Sequence, residues 1–267
     1  MISTPHFTFD DGLTHGLVGP NGIGKTTLLR KIAGQLGGSG IKVDGDKPYD
    51  NEKVLGKIVL MGIDNPLPEG WNVKKVFTVA GLRWPSWDQN RAEELVERFE
   101  LPMKNYSGLS RGQKSAASFI VAVASGVPYM LLDEPYLGLD AAKREVFYDV
   151  LREEHGRTII VSTHHLNELS GLLDTVALMG ENPLSGPIDE FIEGVVQLTG
   201  PAEALDRALG RLQLPVLERE SSAVADRALV DARPNHTANV FDMAQEMGLR
   251  ATEVSLEQAV LALGETR

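Results

Sequence analysis

Three stretches of this sequence bring together residue types that do chemistry at useful spacing. The first is Gly19-Pro20-Asn21-Gly22-Ile23-Gly24-Lys25-Thr26-Thr27, which fits the pattern G-x-x-x-x-G-K-T. A polyphosphate is a dense cluster of negative charge, and holding it takes many donors at short range. Gly19, Gly22 and Gly24 let the backbone curl so that successive N–H groups point inward. Lys25 is spaced to reach β- and γ-phosphates, and Thr26 offers a hydroxyl to Mg²⁺. The second stretch is Tyr129-Met130-Leu131-Leu132-Asp133-Glu134-Pro135, in which two carboxylates follow four bulky residues. The third is Thr158-Ile159-Ile160-Val161-Ser162-Thr163-His164, in which a histidine follows another apolar run.

These side chains need elements to aim them. Leu13–Val18 reads as a buried strand entering the loop, and Leu28, Leu29, Ile32 and Ala33 as the apolar face of a helix leaving it, stopped by Gly34. Tyr129–Leu132 and Thr158–Val161 read as buried parallel strands, so Asp133, Glu134 and His164 stand at strand ends, where open α/β sheets bind ligands. Phe7–Phe9 and Ile41–Val43, the latter followed by the turn Asp44-Gly45, suggest a small antiparallel unit, and Val54–Met61 a further strand. Val73, Val76, Phe77 and Ala80 recur at helical spacing. Asp88 is placed as the N-cap of a charged helix from Arg91 to Glu100, and Trp84 and Trp87 before it read as packing residues. Leu109-Ser110-Arg111-Gly112-Gln113 opens an apolar helix to about Ser125; taken alone it reads equally as an ordinary cap, since serine is a good one. Asp140 closes the loop after Glu134. Gly180–Pro187 is rich in turn residues and reads as a boundary. Beyond it come a strand at Val195–Leu198, a helix over Pro201–Leu209 capped by Gly210, two strands around Ser221-Ser222, and two amphipathic helices.

At 267 residues the chain is long enough for one large domain or two modest ones. Its 42% hydrophobic and 24% charged fractions are ordinary for a soluble fold. The net charge of −11 argues against a broad nucleic-acid surface. With no cysteine there is no disulfide framework, zinc-thiolate site or thiol nucleophile. Met1–Asp11 has no basic region followed by an apolar run. The longest apolar stretch, Phe119–Leu132, is interrupted and short of a membrane span. A cytoplasmic location is expected. His6, His15, His155 and His236 show no metal-ligand spacing and read as surface or packing residues, and His165 as structural.

Taken in order, the glycine-rich loop, LSRGQ, MLLDEP with its following GLD, and STH give a sequence that resembles the ATP-binding subunit of an ABC transporter over about residues 7–190. Trp84–Leu139, with W-P-x-W-D, L-S-R-G-Q and D-E-P-x-x-G-L-D, resembles the subgroup serving bacterial peptide, antibiotic or bacteriocin exporters. The resemblance implies an α/β fold: a P-loop NTPase (RecA-like) core with an antiparallel β subdomain at 1–65 and 128–190, an inserted helical subdomain at 66–127, and a small α+β extension at 191–267. It implies ATP and Mg²⁺ as cofactors. Gly19–Thr27 would hold the phosphates, Thr26 and Asp133 the metal, Glu134 would act as general base on the attacking water, and His164 would contact the γ-phosphate. Ser110, Arg111, Gly112 and Gln113 would cap the nucleotide of an opposing subunit, with Arg111 standing where the commonest form has glycine, and Asp140 would lie at the same interface. The partners implied are a second ATP-binding subunit, identical or not, and an integral membrane permease that places the chain on the inner face of the plasma membrane and drives export. No nucleic acid is expected.

Two departures from the pattern bear on function. The family's glutamine after the strand ending at Met61 falls near Ile63, which cannot bind a metal. Asp64, one residue later, has suitable oxygen chemistry for Mg²⁺ but equally suits a turn before Asn65-Pro66. The usual adenine-stacking aromatic has no clear counterpart, because Phe7 and Phe9 read as core residues. Two other readings therefore stand beside a transport ATPase. One is a soluble ABC-type ATPase without a transport role, although the paired cassettes or long coiled coils of such proteins are missing. The other is an ATP-binding subunit deficient in hydrolysis.

Overall fold

Three of the four parallel strands, Ile58–Gly62, Tyr129–Asp133 and Thr158–Ser162, are built on runs of apolar residues with no polar alternation, as expected for strands covered on both faces. The computed structural model describes residues 1–62, 67–222, 224–233 and 237–265, so Ile63 and Asp64 lie outside the described residues. The chain forms two units, Met1–His164 with Leu172–Asp174, and His165–Gly171 with Thr175–Arg267.

In the first unit, β1 (Ile2–Ser3) and β2 (Thr8–Phe9) lead to β3 (Thr14–Val18) and helix α1 (Lys25–Ile32). Strand β4 (Lys42–Val43) pairs antiparallel with β1, giving a small sheet of order β2-β1-β4. Phe7 and Phe9 are buried, in keeping with a core role. The segment Val54–Met61 divides where one strand was expected. Its first residues belong to a helical turn, α2 (Glu52–Leu55), and only β5 (Ile58–Gly62) is extended. Val54 is buried from either conformation, so apolar spacing alone did not separate them.

The helical arm follows as α3 (Val73–Arg83), α4 (Gln89–Arg98) and α5 (Arg111–Ala124). Each begins at a side-chain cap. Asn72 accepts from the Lys75 amide at 2.8 Å, Asp88 from the Arg91 amide at 2.9 Å, and Ser110 from the Gln113 amide at 3.2 Å. Trp84 is buried and Trp87 packs on Phe77, with ring centroids 5.6 Å apart. Then come β6 (Tyr129–Asp133), α6 (Ala141–Glu153) and β7 (Thr158–Ser162). Strands β5, β6, β7 and β3 lie parallel in that order. The register aligns Gly62 with Asp133, Asp133 with Ser162, and Ser162 with Leu17. One row across the sheet thus sets the level of the strand ends on which the chemistry stands.

The second unit holds α7 (Leu166–Leu169), β8 (Thr175–Leu178), β9 (Leu184–Pro187) and α8 (Ile188–Ile192). The turn-rich stretch Gly180–Pro187 folds in part as β9, paired antiparallel with β8. Beyond it lie β10 (Val195–Gly200), α9 (Ala202–Leu212), β11 (Val216–Glu220), β12 (Asp226–Asp231), α10 (Thr237–Glu246), β13 (Arg250–Glu253) and α11 (Leu256–Glu265). The strand order β11-β12-β10-β13, all antiparallel, is that of a split βαβ fold, βαββαβ. Val196, Leu198, Leu205, Ala208, Ala228 and Val230 form its core. Helix α9 continues past Gly210 and ends at Gln213, whose φ of 51° is left-handed. The extra turn buries Leu212, and burying a leucine outweighs the cost of about 1 kcal/mol for a glycine inside a helix. Strand β13 was not legible in the sequence. It is a short edge strand whose end residues Arg250 and Glu253 are exposed, so it carries no apolar run.

Candidate functional site

Helix α1 starts at Lys25 after Gly24, which sits at φ 109°. An L-side chain strongly disfavours that conformation, so glycine is what allows the loop to turn directly into the helix. The helix has no acidic residue in its first turn and carries Arg30 and Lys31 in its last. The first leaves the positive N-terminus at the loop uncompensated, and the second offsets the negative far end. Pro20, Asn21, Gly22, Ile23 and Thr27 are exposed along the rim. Lys25 is only 7% exposed. Its Nζ donates to the Gly19 carbonyl at 2.7 Å and to the Pro20 carbonyl at 3.3 Å, so the ammonium lies folded into the loop.

Thr26, one residue on, reaches across to the end of β6. Its Oγ1 donates to Asp133 Oδ2 at 2.7 Å. The other oxygen, Oδ1, accepts from Ser162 Oγ at 2.5 Å. Asp133 is 8% exposed, and these two hydroxyls fix its carboxylate in one orientation. Hydroxyl and carboxylate oxygens are hard ligands of the kind Mg²⁺ takes. Among the described residues no group of three or more His, Asp or Glu side chains is placed to hold a metal ion. The donor set at Thr26 and Asp133 has the oxygen chemistry of a small cation that completes its shell with phosphate oxygens and water, the usual habit of Mg²⁺.

Glu134 follows in a left-handed backbone conformation, φ 47°, and its amide donates to Ser162 Oγ at 3.0 Å. The turn lifts its side chain off the strand. His164 Nδ1 lies 3.0 Å from Oε1 and 2.9 Å from Oε2 of Glu134. Tyr136 Oη donates to Oε2 at 3.1 Å. Tyr136 is almost fully buried, and burial pushes its phenol well above the ordinary tyrosine range.

Gly19–Thr27, Asp133, Glu134 and His164 are thus linked at the C-terminal ends of β3, β6 and β7. Ser110–Gln113 stand apart at the start of α5. Ser110 Oγ accepts from the Gln113 amide, and the Ser110 amide donates to Gln113 Oε1 at 3.0 Å, a reciprocal capping box. Gly112 approaches the Gly138 carbonyl so closely that a Cβ would lie 2.2 Å from that oxygen. Arg111 is exposed. Asp140 caps α6, its Oδ1 accepting from the Lys143 amide at 2.9 Å. Asp64 lies outside the described residues. Sequence reasoning missed Ser162, Thr163 and Tyr136. The run Ser-Thr-His at a strand end pointed at His164 alone, yet its two hydroxyls also serve Asp133 and Tyr136.

The ABC transporter family matches residues 2–137. The sequence is 30% identical over 231 residues to the ABC transporter ATP-binding protein YtrB of Bacillus subtilis, covering 82% of this chain and 78% of that protein. It is 30% identical over 234 residues to the daunorubicin/doxorubicin resistance ATP-binding protein DrrA of Streptomyces peucetius, covering 82% and 66%. Among solved structures, the fold is similar to an ATP-binding cassette in a dimeric post-hydrolysis state with ADP and Pi. The TM-score is 0.58 at 19% identity, over 69% of this chain and 98% of that one.

Proposed function

The chain belongs to the ABC transporter family of ATP-binding proteins, and from that premise we propose that it hydrolyses ATP at the Gly19–Thr27 loop to drive a membrane permease. The observation that carries the reading is the contact of Thr26 with Asp133 beside Glu134 and His164. A hydroxyl and a carboxylate fit for a cation stand next to a second carboxylate fit for a proton.

On nucleotide binding, Lys25 Nζ leaves the Gly19 and Pro20 carbonyls for the β- and γ-phosphate oxygens. The loop amides and the α1 N-terminus take the rest of the charge. Thr26 Oγ1 and Asp133 would hold Mg²⁺, which would offset phosphate charge there. Glu134 accepts a proton from water as that water attacks the γ-phosphorus, and ADP leaves with the bond to its β-phosphate oxygen broken. His164 turns from Glu134 to the γ-phosphate.

Ser110, Arg111, Gly112 and Gln113, with Asp140, meet the nucleotide of a second ATP-binding subunit. Residues 66–127 act as the arm that meets the permease, and 191–267 as an accessory region that steadies the dimer. The dimeric cassette with ADP and Pi supports the pairing of two ATP-binding subunits, and the relative named for daunorubicin and doxorubicin resistance supports export. No helix among the described residues is long and apolar enough to cross a membrane, in keeping with work on the inner face of a membrane through a partner. Steady-state hydrolysis by wild type and Glu134→Gln tests the chemistry. The variant is expected to bind ATP normally and turn over at least about a hundredfold more slowly; an unchanged rate removes Glu134 as the base.

A further inference from the structure

Glu134 is held from two sides, and the two holds differ in kind. His164 is 44% exposed at its side chain. In the proposed reaction it turns to phosphate, so its grip on Glu134 is lost when nucleotide arrives. Tyr136 is 1% exposed. Its ring is wedged edge-on against Phe147, with centroids 6.3 Å apart, and it has no room to swing away.

A phenol has one proton to give. With that proton on Glu134 Oε2 at 3.1 Å, the short contact between Tyr136 Oη and Thr163 Oγ1 requires Thr163 to be the donor. The result is a directed chain from Thr163 Oγ1–H to Tyr136 Oη–H to Glu134 Oε2. Thr163 is fully buried and directly follows β7, its amide donating to the Leu17 carbonyl at 3.1 Å. The chain is therefore anchored in the sheet. The raised phenol pKa keeps the proton on Tyr136 throughout the physiological range.

We propose that Tyr136, oriented by Thr163, is a positioning residue for hydrolysis, pinning Oε2 of Glu134 so that Oε1 faces the attacking water. The inference rests on the reading of Glu134 as general base. Its basis is geometry: the Glu134 side chain is 18% exposed, and once His164 has turned away only the Tyr136 hydroxyl stops its carboxylate from rotating about its last bond; a misplaced base forfeits much of its rate advantage.

The test uses the full chain. Tyr136→Phe keeps the ring and its packing and removes only the hydroxyl. Steady-state ATPase rates with Mg²⁺ and ATP are expected to show kcat reduced roughly tenfold, with KM and the Kd for a fluorescent ATP analogue changed less than about twofold. Thr163→Val, which keeps the shape and loses the donor, is expected to reproduce part of the loss, and Thr163→Ser to restore it. Thermal melts establish that each variant is folded. A Tyr136→Phe enzyme with wild-type kcat, or one that changes KM in place of kcat, overturns the proposal, as does a Thr163→Ser variant no better than Thr163→Val. Failure of the underlying reading looks different: Glu134→Gln itself then hydrolyses ATP at the wild-type rate.

Discussion

Lys25 and His15 illustrate two ways in which a single side chain reads differently in sequence and in space. The sequence places Lys25 on the phosphates. In the structure its ammonium rests on the carbonyls of Gly19 and Pro20, so the loop folds around a positive charge. Lys25→Ala removes that charge and the phosphate contact together, and ATP affinity is expected to fall by a hundredfold or more, about 3 kcal/mol, measured by titration with a fluorescent nucleotide. From the sequence His15 reads as either a surface or a packing residue, and the structure settles on packing: it is buried, its ring packs edge-on against Phe9 at 5.2 Å, and its Nε2 lies 3.0 Å from the Asp10 carbonyl. Burial lowers its pKa, while that carbonyl and the nearby Asp10 and Asp174 charges partly oppose the shift. The sign follows from linkage. A depressed folded pKa means that the unfolded chain takes up the proton first. Stability is then full above about pH 6.5 and falls as pH drops below it, by at most about 1.4 kcal/mol per pH unit. Replacing the imidazole, as in His15→Gln, is expected to flatten the dependence of chemical-denaturation midpoints between pH 7 and pH 5.5, whatever it does to stability at pH 7.

Helix α5 is the element on which most depends, because both its ends are tied by side chains. At its start Ser110 and Gln113 cap it reciprocally, so the residues expected to face a partner's nucleotide also hold their own helix. Ser110→Ala is expected to cost about 1 kcal/mol of stability in addition to any loss of turnover, so urea unfolding and ATPase assays should both register it. At its far end Arg157, just before β7, donates to the carbonyls of Ala122, Val123 and Val127 at 2.8–3.0 Å and pairs with Glu154 at 2.8 Å. Nothing in the residue pattern points to this role. Arg157 sits in a turn after α6, some thirty residues from the carbonyls it serves, and only the fold brings them together. Burial pulls its pKa down, so the hydrogen bonds and Glu154 are what hold the charge in place. Arg157→Met leaves those carbonyls without their donor and Glu154 without its partner. A loss of about 3 kcal/mol is expected in urea unfolding, since removing one member of a buried charged set strands the others. The ion pairs of Arg91 and Arg98 with Glu153 are more exposed, and Arg98→Ala is expected to cost under about 1 kcal/mol.

At the scale of the molecule, the centre of the parallel sheet and its motifs were readable because β6 and β7 are apolar runs that lead straight into Asp133, Glu134 and His164. The strands at Tyr129 and Thr158 could be read from composition alone. The split βαβ unit was harder. Its strands have one open face, β13 shows no run at all, and Gly210 suggests a helix end that the burial of Leu212 overrides. The site was legible in its charged residues and in Thr26, which the loop motif marks, and illegible in the hydroxyls of Ser162, Thr163 and Tyr136, because serine, threonine and tyrosine are too common to mark a position without a motif or a contact to look at. The dimer belongs to this scale also. If hydrolysis separates two subunits, the slow Glu134→Gln variant is expected to sediment as a dimer with ATP and Mg²⁺ and as a monomer with ADP. Sedimentation unchanged by ATP would count against a nucleotide sandwich. Leu205→Ala, in the core of the C-terminal sheet, is expected to cost about 3 kcal/mol. If residues 191–267 steady the dimer, that variant should also dimerise more weakly.

Glu134 stands at φ 47°, where a glutamate is a poor tenant and asparagine a better one. Activity and durability therefore pull apart at this one position. Glu134→Asn is expected to melt at or above the wild-type temperature while losing turnover, although it gives up the contacts with His164 and Tyr136. If Glu134 is the general base, a selection for thermal endurance alone is expected to drift toward an inactive protein at residue 134, and one for turnover to keep the glutamate against its own backbone preference.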